Sequence, residues 1–240
     1  MNGRRRQLSG LSLFLGGFLV AVLFGAAAVW ADVEAAMFDA ALIAEGERLR
    51  TISCPTIMTT GESATVYASF SNPTEREVSL PIRARISDGF VTLIREERSD
   101  LVLAPGETRR YSVAVTASDA AYDRFVLVRI HQLRSAPHPY RQGTCGIIVL
   151  DIPYLSGGHI VTLLLALSLG AMAGGLRLWS SHSRVGPSRT EHLALMLILA
   201  ALAALAIVTG VIGWWGLGLG VLALTLLFLT GAVGYLLQQH

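Results

Sequence analysis

Charge along this chain is sharply segregated: 16 of the 17 acidic residues and 13 of the 19 basic ones lie between Asp32 and Tyr154, and apolar runs flank that stretch on both sides. At 52% hydrophobic residues and a mean hydropathy of +0.54 the chain is too apolar for an ordinary soluble domain, yet 15% charged residues is too many for a pure membrane bundle. The chain therefore reads as part membrane and part water-soluble, with the polar insert as a separately folded piece that also carries both cysteines, Cys54 and Cys145.

All 19 basic residues are arginine. A guanidinium can hold a phosphate through two parallel hydrogen bonds, which raises the question of a nucleic-acid partner. Inside the insert, however, the arginines are interleaved with a slight excess of acids, so no basic field exists to hold a polyanion and nucleic-acid binding is not expected.

Arg4, Arg5 and Arg6 precede an apolar run from Leu11 to Ala31, and positive charge ahead of a first apolar segment holds that end in the cytoplasm. The run is either a cleaved signal peptide, with Val29-Trp30-Ala31 as the cleavage region, or a retained anchor. As an anchor, 21 residues rising about 1.5 Å each would cross a bilayer, and Gly17, Ala21 and Gly25 would offer a small-residue stripe for helix packing. In either case the insert is exported. Between Asp32 and Glu47 a short helix is expected, capped by Asp32 and carrying Val33, Met37, Ala40 and Ala41 on one side.

Beyond that point the apolar period becomes two. Ala64, Val66, Ala68 and Phe70 alternate with polar residues, as do Val78, Leu80, Ile82, Ala84 and Ile86, which is the pattern of strands with one wet face. Turn signals at Asn72-Pro73, Asp88-Gly89 and Pro105-Gly106 separate these runs from a third, Tyr111, Val113 and Val115. Phe125 to Ile130 is apolar on both faces apart from Arg129, as a central strand would be, and Gly146 to Ile152 supplies the last strand. With Arg48 to Ser53, Phe90 to Arg95 and Leu101 to Leu103 added, about eight strands are expected.

Leu103-Ala104-Pro105-Gly106-Glu107-Thr108, followed by Tyr111-Ser112-Val113-Ala114-Val115, resembles the penultimate hairpin of bacterial immunoglobulin-like modules, and Phe70-Ser71-Asn72-Pro73-Thr74 resembles their earlier strand end. The resemblance runs from Arg48 to Ile152 and implies an immunoglobulin-like β-sandwich on a membrane-anchored protein. It implies no activity. The chain departs from antibody domains in lacking a core tryptophan and, on this reading, an inter-sheet cysteine pair.

Cys54 and Cys145 are expected to form one disulfide, because an exported pair normally closes. Cys54 ends the first strand and Cys145 opens the last, so the bond would staple neighbouring strands where the chain nears the membrane. Scattered histidines such as His131 and His138 give no metal-ligand spacing.

After Pro153 three apolar runs follow, His159 to Leu176, Leu193 to Ile212 and Leu217 to Leu237, each long enough to span a bilayer. Arg177, Arg184 and Arg189 mark the first connection as cytoplasmic, and the uncharged Gly213-Trp214-Trp215-Gly216 turn is external, with Trp214 and Trp215 at the headgroup boundary. Ala166, Gly170 and Gly174, and separately Gly216 and Gly220, sit at helix-packing spacing. No acidic or basic residue lies inside these runs, which argues against a pump or ion-coupled transporter.

The expected architecture is thus membrane α-helical plus all-β. A signal anchor or signal peptide occupies residues 1–31, an immunoglobulin-like β-sandwich ectodomain residues 32–154, and a three-helix transmembrane region follows, made of a helix at 155–178, a cytoplasmic linker at 179–192 and a helical hairpin at 193–237. Gly-x-Ser-x-Gly, His-Glu-x-x-His and phosphate-cradling glycine loops are missing, and Glu96 and Glu97, adjacent on a strand, point to opposite faces. No cofactor, metal or catalytic residue is expected. A claudin-like four-helix plan is matched in outline only, without that family's Gly-Leu-Trp and paired-cysteine signature. The functional expectation is a non-catalytic accessory subunit in the cell membrane, contacting the lipid bilayer and a membrane or surface protein partner. The alternative is a ligand- or carbohydrate-binding surface sensor or adhesion protein.

Overall fold

A computed structural model describes residues 2–39, 47–136, 138–152, 154–182 and 187–238. Its order of elements corrects the expected plan of a sandwich followed by helices. The chain opens on a 36-residue helix, α1 (Asn2–Met37), the strands come next, and three helices close it: α2 (Gly157–His182), α3 (Pro187–Val211) and α4 (Trp215–Gln238). The chain divides into two units, one made of residues 1–29 with 161–240 and the other of residues 30–160. The N-terminal apolar run is therefore one of four packed helices, and the helix does not stop at Ala31. Ala31, Asp32, Ala35 and Phe38 are all buried, continuing a helical period, and Asp32 is tolerated because its Oδ1 accepts a hydrogen bond from the Gly146 amide at 3.2 Å. The short helix expected from Asp32 is the end of α1; Ala40 and Ala41 lie outside the described residues.

Residues 30–160 hold two sheets. One runs β1 (Glu47–Arg48), β9 (Arg141–Leu150), β8 (Phe125–Gln132), β5 (Val78–Asp88), β6 (Phe90–Leu103), with β3 (Ile57–Thr59) also on β9; the other runs β2 (Ile52–Ser53), β4 (Ser63–Ser71), β7 (Thr108–Thr116). Val66, Ala68 and Phe70 of β4 and Val113 and Val115 of β7 meet Leu80, Ile82, Ile86, Val128, Ile130 and Ile147 of the larger sheet in one shared core. Burying each large aliphatic side chain there contributes about 1.5–3 kcal/mol.

Three local corrections have physical reasons. The expected first strand, Arg48 to Ser53, is split, because β1 pairs with the start of β9, the chain crosses to β4 as β2, and β3 returns to β9. The runs 90–95 and 101–103 are one 14-residue strand, β6, because the charges between them are matched on both faces: Glu96 to Arg98 on one, Glu97 to Arg95 on the other. The Cys54–Cys145 disulfide is present, but Cys54 follows β2 of the small sheet and Cys145 lies mid-strand in the large one. An inter-sheet cysteine pair therefore exists where none was expected, at the place where residues 47–59 cross between sheets. Closing a loop of 91 residues contributes roughly 4.5 kcal/mol on a chain-entropy basis.

In the helical unit, Gly10, Phe14, Gly17, Phe18, Ala21, Phe24, Gly25 and Ala28 make the buried stripe of α1. Backbones approach closely along it: a Cβ on Gly17 would stand 2.6 Å from the Ser168 carbonyl oxygen, and one on Gly175 2.5 Å from the Phe14 nitrogen. Three helices are long and apolar enough to cross a membrane, Gln7–Met37, Gly157–Ser181 and Thr190–Val211; the described apolar part of α4, Trp215–Gly231, is shorter.

Candidate functional site

The side of the large sheet turned away from the core is where polar chemistry gathers. Since Ile82, Ala84 and Ile86 face the core, strand alternation turns Arg83 and Arg85 the other way. Register then builds a grid. Arg98, Arg83, His131 and Gln142 form one row across β6, β5, β8 and β9, and Glu96, Arg85, Arg129 and Thr144 form the next. Two arginine pairs, Arg83 with Arg98 and Arg85 with Arg129, thus stand directly opposite each other, an arrangement that is destabilising unless anions offset it.

Part of the offset comes from the last turns of α1. Arg129 donates from Nη2 to the Ala36 carbonyl oxygen at 2.8 Å and from Nη1 to Gln142 Oε1 at 3.2 Å, and Arg85 pairs with Asp39. Arginines here hold the carbonyl end of a helix, where cations are favoured. Ala35 and Phe38 pack with Ala121 and Leu127 beside them. The rest of the offset comes from Glu96. Its Oε1 accepts from Arg98 Nε at 2.5 Å, while Arg83 Nε and Arg85 Nε lie at 3.3 and 3.5 Å from its oxygens. The hydrogen bond from Arg98 holds the Glu96 carboxyl below the usual carboxylate range, with the charges of Arg83, Arg98 and Arg85 adding to it.

His131 is buried and bonded through Nδ1 to the Tyr140 hydroxyl. Burial, followed by the charges of Arg129, Arg85 and Arg83, pulls it down to about 4, so it is neutral at pH 7. Burial also lowers Arg129 from the ordinary guanidinium value.

The edge of the same sheet is a second feature. On one side β6 pairs along its length with β5, and no other strand among the described residues pairs with it. Phe90 (60% exposed), Leu93 (52%) and Val102 (44%) stand out from this edge. Nearby, the Tyr122 amide donates to the Gly89 carbonyl oxygen, and Tyr122 is exposed from a turn in which it and Asp123 both have φ of 55°. On the small sheet, a groove of about 420 Å³ is lined by Ser53, Cys54, Glu62, Ser63, Thr65 and Tyr67.

The residues singled out in the sequence are distributed as follows. Cys54 and Cys145 are bonded to each other. A Cβ on Gly170, Gly216 or Gly220 would meet nothing within 4 Å, Gly174 has only Leu13 at 3.5 Å, and Ala166 is exposed, so these five do not make the close helix contacts; Gly10, Gly17, Gly25, Gly175, Gly210 and Gly218 do. Arg177 is exposed on α2, and Trp214 and Trp215, both exposed, precede and open α4. Arg4, Arg5 and Arg6 lie in the first turns of α1 and Arg189 in α3, with their side chains outside the description, and Arg184 is outside the described residues. Sequence reasoning missed Asp39, Glu96, Arg129 and His131 as members of one cluster. The signal was the alternation itself, which already put Arg83 and Arg85 on one face.

No protein-family profile matches the chain, and no curated protein matches it. Solved structures with a similar part include the CARDB domain of a Pyrococcus furiosus protein in complex with di-metal ions, at 14% identity and a TM-score of 0.31, covering 41% of this chain and 84% of that one. Another is a cycloisomaltooligosaccharide glucanotransferase of Paenibacillus sp., at 14% identity and TM-score 0.35, covering 45% of this chain and 14% of the enzyme. A third is Bacteroides uniformis beta-glucuronidase 2, at 21% identity and TM-score 0.30, covering 40% of this chain and 12% of the enzyme. The chain thus spans only a small fraction of the length of these enzymes.

Proposed function

We propose that this protein is a non-catalytic accessory subunit of the cell membrane, multi-pass, with the two-sheet domain on the extracytoplasmic side, and that the domain works by docking on a membrane or surface protein. The observation that carries the reading is the edge of β6. A 14-residue edge strand offers a row of backbone donors and acceptors that invites pairing with another chain; the charges of Arg95, Glu96, Glu97, Arg98 and Asp100 blunt its middle, and its uncharged ends, 90–94 and 101–103, stay open to a partner. Here Phe90 and Leu93 are exposed at one end of the edge and Val102 at the other, so apolar contact is available beside the backbone groups.

A photo-crosslinking side chain at Leu93 in native membranes tests it. One adduct of defined mass is expected, lost when Phe90→Asp is added, with none from the same probe at Ser112, exposed on the small sheet. Absence of an adduct at Leu93, or identical adducts from both positions, overturns the reading. The groove containing Glu62, Ser63, Thr65 and Tyr67 favours the second reading, a ligand- or carbohydrate-binding surface protein. A domain that bound a glycan there, with no crosslinked protein at Leu93, would establish it instead.

A further inference from the structure

We infer that the outer face of β5, β6 and β8 is an oxyanion-binding site that takes a phosphate group at Arg83 and Arg98, with Arg85 as a third donor. The face holds four guanidinium groups, Arg83, Arg85, Arg98 and Arg129, against three carboxylates, Glu96, Asp39 and the exposed Asp100 opposite Pro81, and so carries one positive charge in excess with His131 neutral. Internal pairing does not remove that excess. Glu96 is divided among three arginines and is hydrogen-bonded only to Arg98. Asp39 and the Ala36 carbonyl oxygen engage Arg85 and Arg129, whereas the ion pairs of Arg83 and Arg98 among the described residues are to Glu96 alone.

The hydrogen-bond inventory points the same way. Nε of Arg129, a residue 2% exposed, is buried with no hydrogen bond among the described residues, and Nε of Arg83 and of Arg85 are buried with only the shared Glu96 carboxylate at 3.3 and 3.5 Å and no hydrogen bond to it. Buried donors without a hydrogen bond cost stability, so these three guanidinium nitrogens mark a face where an acceptor-rich group is favoured. Access exists on the Arg83–Arg98 side, where the two side chains are 29% and 73% exposed.

A phosphate group fits this arrangement. A diester carries one negative charge and a monoester about 1.5–2 near neutral pH, either of which offsets the excess, and the tetrahedral oxygens of both can reach more than one guanidinium. Two sources share that chemistry. Ala36 lies one residue before the end of the Gln7–Met37 stretch that is long and apolar enough to cross a membrane, so a phospholipid headgroup is one source and a soluble phosphate ester the other.

The test uses the full chain in phosphatidylcholine nanodiscs, with its thermal midpoint followed against sodium phosphate at ionic strength held constant by sodium chloride. A saturable rise is expected. Arg83→Gln should weaken the response about tenfold, by removing one charge-assisted donor. Glu96→Gln should strengthen it, because the competing carboxylate is gone, and this opposite sign separates binding from a general loss of stability. Arg110→Gln, on the small sheet, should leave it unchanged. In a parallel arm, one third of the lipid is phosphatidylglycerol; a midpoint rise in that arm that Arg83→Gln abolishes, with no response to inorganic phosphate, supports the site and assigns the lipid as its source. No response in either arm overturns the inference, as does a response that Arg83→Gln leaves intact.

Discussion

Gly146 of β9 lies so close beneath Ala31 of α1 that a Cβ on the glycine would stand 2.0 Å from the Ala31 carbonyl oxygen. The Gly146 amide also donates to Asp32 Oδ1, so the position both admits the helix and holds it. A side chain cannot rotate away from its own Cβ, and the obstructing atoms are backbone. Gly146→Ala is therefore expected to cost about 3 kcal/mol in denaturant unfolding, at the upper end for an overpacked site. Gly170→Ala on α2, with open space at its Cβ, is the control and should change stability by less than about 1 kcal/mol in either direction. Equal effects from the two substitutions would contradict the assignment.

Asn72 is a buried hub that ties β4 to the β6–β7 hairpin. Its Nδ2 faces the carbonyl oxygens of Arg76, Leu103 and Ala104 at 2.8–3.1 Å, and its Oδ1 accepts from the Thr74 amide and hydroxyl. Asn72→Ala removes a donor from all three carbonyls, of which Arg76 keeps the Thr74 hydroxyl and Ala104 the Glu107 amide, and should destabilise by about 1–3 kcal/mol. Asn72→Asp is the sharper case. It keeps the size and the Oδ1 contacts but turns a donor into a charged acceptor facing three carbonyls, so at pH 7 it should be at least as damaging as alanine. A mild effect of Asp would show that the Nδ2 contacts contribute little.

The strands were legible where one face is wet. Val66, Ala68 and Phe70 alternate with serine, threonine and tyrosine, and the core residues follow from that alone. Asn72 was legible only as a turn residue, because its partners Leu103 and Ala104 lie 31 and 32 positions away. The pairing of Cys54 with Cys145 followed from the expectation of export, but its position between sheets did not, since β1, β2 and β3 are two or three residues long and too short to show a period. Small-residue spacing identified glycines able to admit a neighbouring helix without saying which face is turned inward. Gly17 and Gly25 on α1 are packed, whereas Gly216 and Gly220, at the same kind of spacing, are open. Arg129 could be placed on a central strand, yet its burial under α1 depended on the helix running past Ala31, which a break in hydropathy at Asp32 conceals.

His131 gives the outer face a pH dependence of predictable sign. Its value is about 4 in the folded chain against an ordinary 6.5, so between these limits the unfolded chain binds the additional proton and stability falls as pH falls. The contribution is complete above pH 6.5 and lost below about 4, with a total of about 3 kcal/mol. Arg129, Arg85, Arg83, Glu96 and Tyr140 face the ring and remain in a His131→Gln variant, so the difference between the two proteins isolates the imidazole. Denaturant midpoints from pH 4 to 7 should show a steeper decline for the histidine protein on the acid side. Parallel curves would mean that His131 titrates in the folded chain as it does in the unfolded one.

The proposed topology places Arg177, Arg184 and Arg189 inside and Trp214 and Trp215 outside, because arginine is retained on the cytoplasmic side of short connections and tryptophan settles at the headgroup boundary. Single cysteines can report this in the native background, since Cys54 and Cys145 are bonded to each other and do not compete for a thiol reagent. Gly213 is a poor site for the external probe because its φ of 76° strains any other residue. Ile212, 56% exposed in the same turn, is better. A membrane-impermeant maleimide added to intact cells should label Ile212→Cys and spare Ser183→Cys, and permeabilised cells should show both. Labelling of Ser183→Cys alone in intact cells would invert the helices and put the two-sheet domain in the cytoplasm, where a disulfide between Cys54 and Cys145 would not be expected to persist.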